Sequence, residues 1–406
     1  MKYGILLNKG NVNIGDDIQA FAATQFLPSF DYLVEREHID DFVSDDGEPV
    51  GVIMNAWYMW AKWNWPPSKY IYPCFVGFHY ADHQLSKQPG SPFKYEFLNG
   101  IGGQYLKDYA PIGCRDYYTL DQLQKLGIPS YFSGCITLTL PKMPERKNKG
   151  SYICLVDLDP WVEKRIKKML ANEDIEIKVV SHRRDRDMDM PWNERKKIVT
   201  NLLTLYQNAR CVVTKKLHCS LPCLAMEVPV LLIKQMEDDI RFTPYYDYLH
   251  HVRTSDFMDG NFEYDFLNPP ANKDDYKPCR EALIQSIQTF VEQTKDLNAT
   301  VEELDKTTYS PQELLQWRHD LMKVSMDQWL VKYRDLQKKY TSLQKEEKKN
   351  LALIKKMRSN SEANEKLCQE KEASEKEKTE KEADSDSQRI VKKAKRIVKK
   401  VVRMFQ

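Results

Sequence analysis

The sequence predicts an α/β protein of two Rossmann-like domains, followed by a long helix and a basic amphipathic tail. Three observations carry that reading. Short β-branched runs alternate with helical spacing through residues 2–290, as parallel βαβ units require. The polar stretch Lys142–Gly150, entered through Pro141, divides the alternation into two series. From Ser310 the apolar residues recur at long-helix spacing, and a charged stretch then leads to a short amphipathic end. A chain of 406 residues exceeds one ordinary core, and 42% hydrophobic content supplies apolar surface for two.

The formal charge of +2 conceals an asymmetry, because the stretch from Arg389 holds eight Lys/Arg and no acid. Taking +8 from +2 leaves −6 for the remainder, so bulk charge gives the globular part no nucleic-acid footprint. Nine scattered cysteines without C-x-x-C spacing fit neither a disulfide scaffold nor a zinc site. Cys154, Cys211, Cys219 and Cys223 stand among apolar residues and read as core. Residues 1–8, MKYGILLN, are too short for a signal peptide, and no apolar run reaches transmembrane length. The expectation is a cytosolic protein with no metal.

In chain order, Lys2–Leu7 is a strand, Asn11–Asp17 a polar turn with Gly15, and Ile18–Phe26 a helix. Such a turn between first strand and first helix is a common ligand position, although it is not G-x-G-x-x-G and implies no dinucleotide. Asp16 and Asp17 also lie where helix caps lie. Val50–Met54 is a buried strand that runs into Asn55-Ala-Trp57-Tyr-Met-Trp60-Ala-Lys-Trp63-Asn-Trp65. The tryptophans form either a stacking platform for sugar rings or a satellite core. Cys74–Phe78 is a strand and Lys94–Tyr109 has helical character. Ala110–Asp116 is a strand ending in Arg115-Asp116, Tyr117–Gly127 a helix stopped by glycine, and Ser130–Phe132 a strand.

The second series opens with strand Tyr152–Leu158, helix Trp161–Ala171, and strand Ile175–Ser181, which ends at His182-Arg183-Arg184. Helix Trp192–Asn208 leads into Val212–Ile233, read as strand, tight turn, helix and strand. That turn places Lys215, Lys216 and His218 at a strand's carboxyl end and a helix start, where open α/β sheets bind anions. Leu283–Phe290 is a closing helix. The predicted boundaries are 1–141 and 151–300 for the two domains. A long helix with a heptad seam from Trp329 to Met357 fills 310–358 and suits a homodimeric coiled coil. A Lys/Glu-rich spacer covers 359–388, either as a solvated helix or as disordered chain. Residues 389–406 form a helix with Ile390, Ile397, Val401 and Phe405 on one face and lysines and arginines on the other. A basic amphipathic helix without acids lies well on an anionic bilayer surface.

Three segments together resemble the polysaccharide pyruvyl transferase family. They are Asn13-Ile-Gly-Asp-Asp-Ile-Gln-Ala20, Gly113-Cys-Arg-Asp-Tyr-Tyr-Thr-Leu-Asp-Gln-Leu, and Thr214-Lys-Lys-Leu-His-Cys with Pro229-Val. The resemblance spans about residues 1–250, in family order. It implies a glycosyltransferase-B-like arrangement, with the acceptor on the N-terminal domain and the donor on the C-terminal one. It also implies transfer of pyruvate from phosphoenolpyruvate to two hydroxyls of a surface or lipid-linked glycan, as a ketal. In that reading His218 is the proton donor and Asp16 the acceptor-side base or sugar ligand. Arg115, Lys216, Lys215, His182 and Arg241 hold the donor, while Asn13, Asp17, Asn55 and Trp57 face the acceptor. Phosphoenolpyruvate is a substrate, and no separate cofactor is implied. Asn55-Ala-Trp57 replaces the family's frequent glycine run, and Lys216 replaces its frequent arginine. The tail would hold the enzyme peripherally on the inner face of the plasma membrane. Two rivals remain open: a nucleotide-sugar glycosyltransferase of the same architecture, and a non-catalytic membrane-attached scaffold of glycan synthesis.

Overall fold

The computed structural model describes residues 1–58, 64–80, 98–183, 190–234, 239–364 and 395–396. A four-stranded parallel sheet comes from β1 (Lys2–Leu7), β2 (Tyr32–Glu35), β3 (Val50–Ile53) and β4 (Ile71–Cys74), in the order β2-β1-β3-β4. Helix α1 (Gly15–Thr24) follows β1 and α2 (Ile101–Asp108) follows β4. A separate parallel pair is made by β5 (Ile112–Cys114) and β6 (Ser130–Phe132), around α3 (Tyr117–Lys125).

The second large sheet, also parallel, has the order β11-β10-β9-β7-β8. Its strands are β7 (Tyr152–Val156), β8 (Glu176–Val180), β9 (Val212–Thr214), β10 (Val230–Lys234) and β11 (His250–Arg253). Helices α4 (Pro160–Met169), α5 (Trp192–Gln207) and α6 (Leu217–Ala225) connect them, and α7 (Thr254–Asp259), α8 (Lys277–Thr294) and α9 (Val301–Leu304) follow. The last described helix is α10 (Pro311–Asn364).

Continuous apolar strands are what a parallel sheet covered on both faces needs. All residues of β3, β7 and β9 are buried accordingly. One core joins Ile18 of α1 and Ile53 of β3 to Val156, Val212 and Leu232 of the second large sheet. Cys154, Cys211, Cys219 and Cys223 are free and buried, as their apolar neighbours in the sequence indicate. The described residues up to Leu321 form one unit and those from Met322 a second.

Several boundaries differ from the sequence reading. The fourth strand lies at Ile71–Cys74 instead of Cys74–Phe78, because Pro73 is tolerated on the sheet's edge strand. Phe78 makes only an isolated bridge with Cys114. Strands β2 and β11 escape a search for buried runs because each is an edge with one buried residue, Val34 and Val252. The helix expected over Lys94–Tyr109 begins, among the described residues, only at Ile101. Trp65 is core: it is fully buried, donates to the Gly102 carbonyl at 3.1 Å and packs against Tyr58 and Tyr105. Trp60, Trp63 and Arg184 lie outside the described residues.

Helix α10 starts with a reciprocal cap, in which Glu313 accepts from the Ser310 backbone and Ser310 Oγ accepts from the Glu313 N–H. Its first turns are tied to the unit by Trp317 Nε1 on the Asn99 carbonyl and by Arg318 on the Trp65 carbonyl. In the second unit, Tyr333, Tyr340, Leu343 and Ile354 of the predicted seam are exposed. No described helix is long and apolar enough to cross a membrane. The spacer beyond Asn364 and the tail, apart from Lys395 and Arg396, lie outside the described residues.

Helices α1 and α5 are joined by a buried ion pair, Arg195 Nη1 to Asp17 Oδ1 at 3.2 Å, with both side chains at most 2% exposed. Removing one partner strands the other charge in the core, at a cost of about 3–5 kcal/mol. Arg195→Met is therefore expected to lower urea-unfolding stability by roughly 3 kcal/mol, and adding Asp17→Leu to recover most of it.

Candidate functional site at the strand ends

The β9–α6 turn is shaped by Thr214, whose hydroxyl donates to the Val156 carbonyl and accepts from the Lys216 N–H. Lys216 then caps α6 in extended conformation. At His218 the helix departs from helical geometry, with φ −78° and ψ 19°. Pro222, four residues on, has no N–H to offer the His218 carbonyl, which accounts for the kink. The kinked turn lays the His218 ring on the start of α1. A Cβ on Gly15 would stand 2.7 Å from His218 Nδ1, so only glycine permits this approach. Two further links converge here: the Ile14 N–H donates to the His182 carbonyl at 2.9 Å, and Asn13 bridges to Arg183. His218 Nε2 is buried and has no hydrogen-bond partner among the described residues.

Two guanidiniums and two further imidazoles act on this ring. Burial, then Arg115, Arg241, His182 and His79 in turn, hold His218 well below the usual imidazole range, so it is neutral near pH 7. Arg115 enters from the end of β5 and is 3% exposed. Its backbone is clamped: the Arg115 N–H donates to the Phe78 carbonyl, and Tyr245 Oη donates to the Arg115 carbonyl at 2.6 Å. The guanidinium donates through Nη1 to Gln19 Oε1 at 3.3 Å, Nε has no partner, and no carboxylate pairs with it among the described residues. A buried cation in that condition is an anion site in physical terms, because an incoming anion supplies the missing partner.

A second polar group adjoins Gln19. Asp16 Oδ2 accepts from Asn8 at 3.1 Å and Asn11 at 2.5 Å, while Oδ1 accepts from Gln19 Nε2 at 3.2 Å. Arg36 lies 3.5 Å from the same carboxylate and over the Trp57 ring. Asn8, Asp16, Gln19, Arg36 and Asn55 line a cavity of about 20 Å³. Gln19 thus bonds the anion site with one amide atom and this cluster with the other.

Residues 13–235 match the family model described as polysaccharide pyruvyl transferase, a span that carries every turn just described. The chain belongs to the polysaccharide pyruvyl transferase family. A solved structure of a functionally uncharacterised protein from Klebsiella pneumoniae is similar at 12% identity, covering 62% of this chain and 92% of its own, with a TM-score of 0.35. No curated protein matches the sequence.

The residues singled out from the pyruvyl transferase resemblance divide in two. His218, Arg115 and Arg241 come together with His182, and Asp16 and Asn55 share the small cavity. Several of the candidates, Arg241 and His182 included, also hold partners within the protein. Lys215 Nζ meets Asp159 at 2.6 Å and Lys216 Nζ lies 3.7 Å from Asp157, so neither lysine stands free. Arg241 is gripped by Asp239 through two nitrogens, at 2.9 and 2.7 Å. His182 is buried, with Nε2 2.7 Å from Tyr206 Oη. Asp17 belongs to the buried Arg195 ion pair. Asn13 accepts from the Gly15 N–H and shapes the turn. Trp57 is half-buried beneath Arg36, so one face of its ring is occupied.

Sequence reasoning missed Gln19, Arg36 and the buried pair His79–Asp116, joined at 2.6 Å. His79 directly follows Phe78, at the end of an apolar run, and that position was the available signal. Since Gly15 admits the His218 ring by lacking a Cβ, Gly15→Ala is expected to displace His218 and raise its pKa by exposing it. Titration of the His218 ring protons by NMR, in Gly15→Ala against the parent chain, checks this.

Proposed function

We propose that this chain transfers pyruvate from phosphoenolpyruvate to two hydroxyls of a sugar as a ketal, on a surface or lipid-linked glycan. The observation that carries the reading is Arg115, a buried guanidinium without a carboxylate, beside a neutral histidine whose Nε2 is unfilled. Phosphoenolpyruvate brings a carboxylate and a phosphate, and Arg115 can take one of them through a charge-assisted pair. Arg241 and Lys216, with side chains 38% and 41% exposed, stand at the rim and can exchange Asp239 and Asp157 for substrate. Two parallel sheets presenting these groups from strand ends support a glycosyltransferase-B-like division into an acceptor and a donor half.

The chemistry follows from charge. Burial and then the two arginines keep His218 neutral, and the arginines' share is offset when the anionic donor binds, which raises its proton affinity. Protonated His218 then delivers its proton to C3 of the enol, and C2 becomes electrophilic. A sugar hydroxyl adds at C2, the C2–O bond to phosphate breaks, and a second hydroxyl closes the ketal. Of the two hydroxyl protons, one restores His218 and the other leaves with phosphate. Asp16 enters as a sugar ligand, because both its oxygens already accept hydrogen bonds and a base needs an open one. The basic segment 389–406 would hold the enzyme at the inner face of the plasma membrane, and the 310–358 seam would pair two copies.

Calorimetry is expected to show phosphoenolpyruvate binding that Arg115→Ala weakens by about tenfold or more, the usual worth of a buried charge-assisted contact. Binding of a uridine nucleotide-sugar without phosphoenolpyruvate would instead select the glycosyltransferase. Repeating the titration in buffers of different ionisation enthalpy should reveal proton uptake at pH 7 that disappears in His218→Gln. Deleting 389–406 should abolish binding to vesicles containing anionic lipid while turnover on a soluble acceptor persists. Retained vesicle binding would remove the tail from the reading.

A further inference from the structure

Asp116 directly follows Arg115, and a carboxylate so placed is the natural partner for a buried guanidinium. The two do not pair. One Asp116 oxygen, Oδ1, accepts from both the Thr119 N–H and the Thr119 hydroxyl at 2.8 Å, which caps α3. The other, Oδ2, is taken by His79 Nδ1 at 2.6 Å. His79 is itself held, with its N–H donating to the Ala56 carbonyl at 3.1 Å. Tyr80, the next residue, donates its N–H to Thr119 Oγ1 at 3.0 Å. Both side chains of the pair are at most 1% exposed, so neither is in a position to touch a substrate.

We propose that His79 is a positioning residue: by taking Asp116 Oδ2 it withholds that carboxylate from Arg115 and leaves the guanidinium open to an anion. The argument rests on the donor-site reading of Arg115 given above. Protonation states agree with it. Burial, with Arg115 and Arg241, outweighs Asp116 and keeps His79 neutral, so its Nδ1 carries the shared proton. Burial pushes Asp116 upward, but His79, Arg115 and the Thr119 N–H outweigh it and keep the carboxylate ionised. An ionised carboxylate released from His79 has one obvious alternative partner next to it.

The test measures calorimetric affinity for phosphoenolpyruvate and for inorganic phosphate, with thermal unfolding alongside. His79→Phe removes the donor and is expected to weaken both ligands about tenfold, as Asp116 turns to Arg115. His79→Gln keeps an N–H donor and should stay within about twofold of the parent. Adding Asp116→Asn to His79→Phe removes the competing charge while asparagine still caps α3, so affinity should return. A merely structural histidine would not produce that recovery. Failure of the double variant to recover, or parental affinity in His79→Phe while Arg115→Ala is weakened, overturns the proposal alone. Parental affinity in Arg115→Ala overturns the donor-site reading and this proposal with it. Should His79→Phe not fold, Asp116→Asn decides: affinity equal to or above the parent supports the proposal, and weaker binding overturns it.

Discussion

Burying a guanidinium without a carboxylate costs several kcal/mol unless something else satisfies it, and the site is built around that constraint at Arg115. Its backbone is fixed on both sides, by Phe78 and by Tyr245, so the side chain cannot retreat to solvent. Gln19 gives it one neutral hydrogen bond. The acids that could neutralise the surrounding cations are each committed: Asp116 to His79 and Thr119, Asp157 and Asp159 to the lysines, Asp239 to Arg241. The result is one guanidinium, at the carboxyl end of β5, without a carboxylate partner among the described residues. Under the proposed function an anionic small molecule supplies that partner.

Burial, with Arg115 and Arg241, also sets the protonation of His218, which is neutral near pH 7, whereas the proposed acid needs a proton. In the proposed reaction the two requirements are reconciled because the anionic substrate offsets the arginines. Gly15 makes the arrangement possible in space, and Pro222 in the backbone. Neither residue carries chemistry, yet both decide where the histidine lies.

The β9–α6 turn was legible because its signal is local: an apolar strand, a polar interruption and helical spacing within about twenty residues. Arg115 and His218 were legible for the same reason, as polar residues at strand ends. Lys215 and Lys216 show the limit of that logic. In the sequence they are two more cations at the right place, whereas Asp157 and Asp159, about sixty residues earlier, neutralise them across β7 and β9. Asp17 and Asp16 are adjacent and chemically identical, and the helix turns one into the core against Arg195 and the other toward Asn8, Asn11 and Gln19. The tryptophan run offered two readings, and burial places Trp65 itself in the core.

The sequence by itself determined the α/β class, the parallel strand series and the family, since each follows from residues near one another or from motif order. Edge strands β2 and β11 and the Ile71–Cys74 strand escaped because they bury too little, or hold a proline that only an edge accepts. Which cations remain open and which are paired was decided by the tertiary structure alone. Pairing depends on distances between residues far apart in the chain, and a charge gives no sign in the sequence of the opposite charge that will meet it. His79 illustrates the point: its role exists only through Asp116, thirty-seven residues away, and through the arginine beside it.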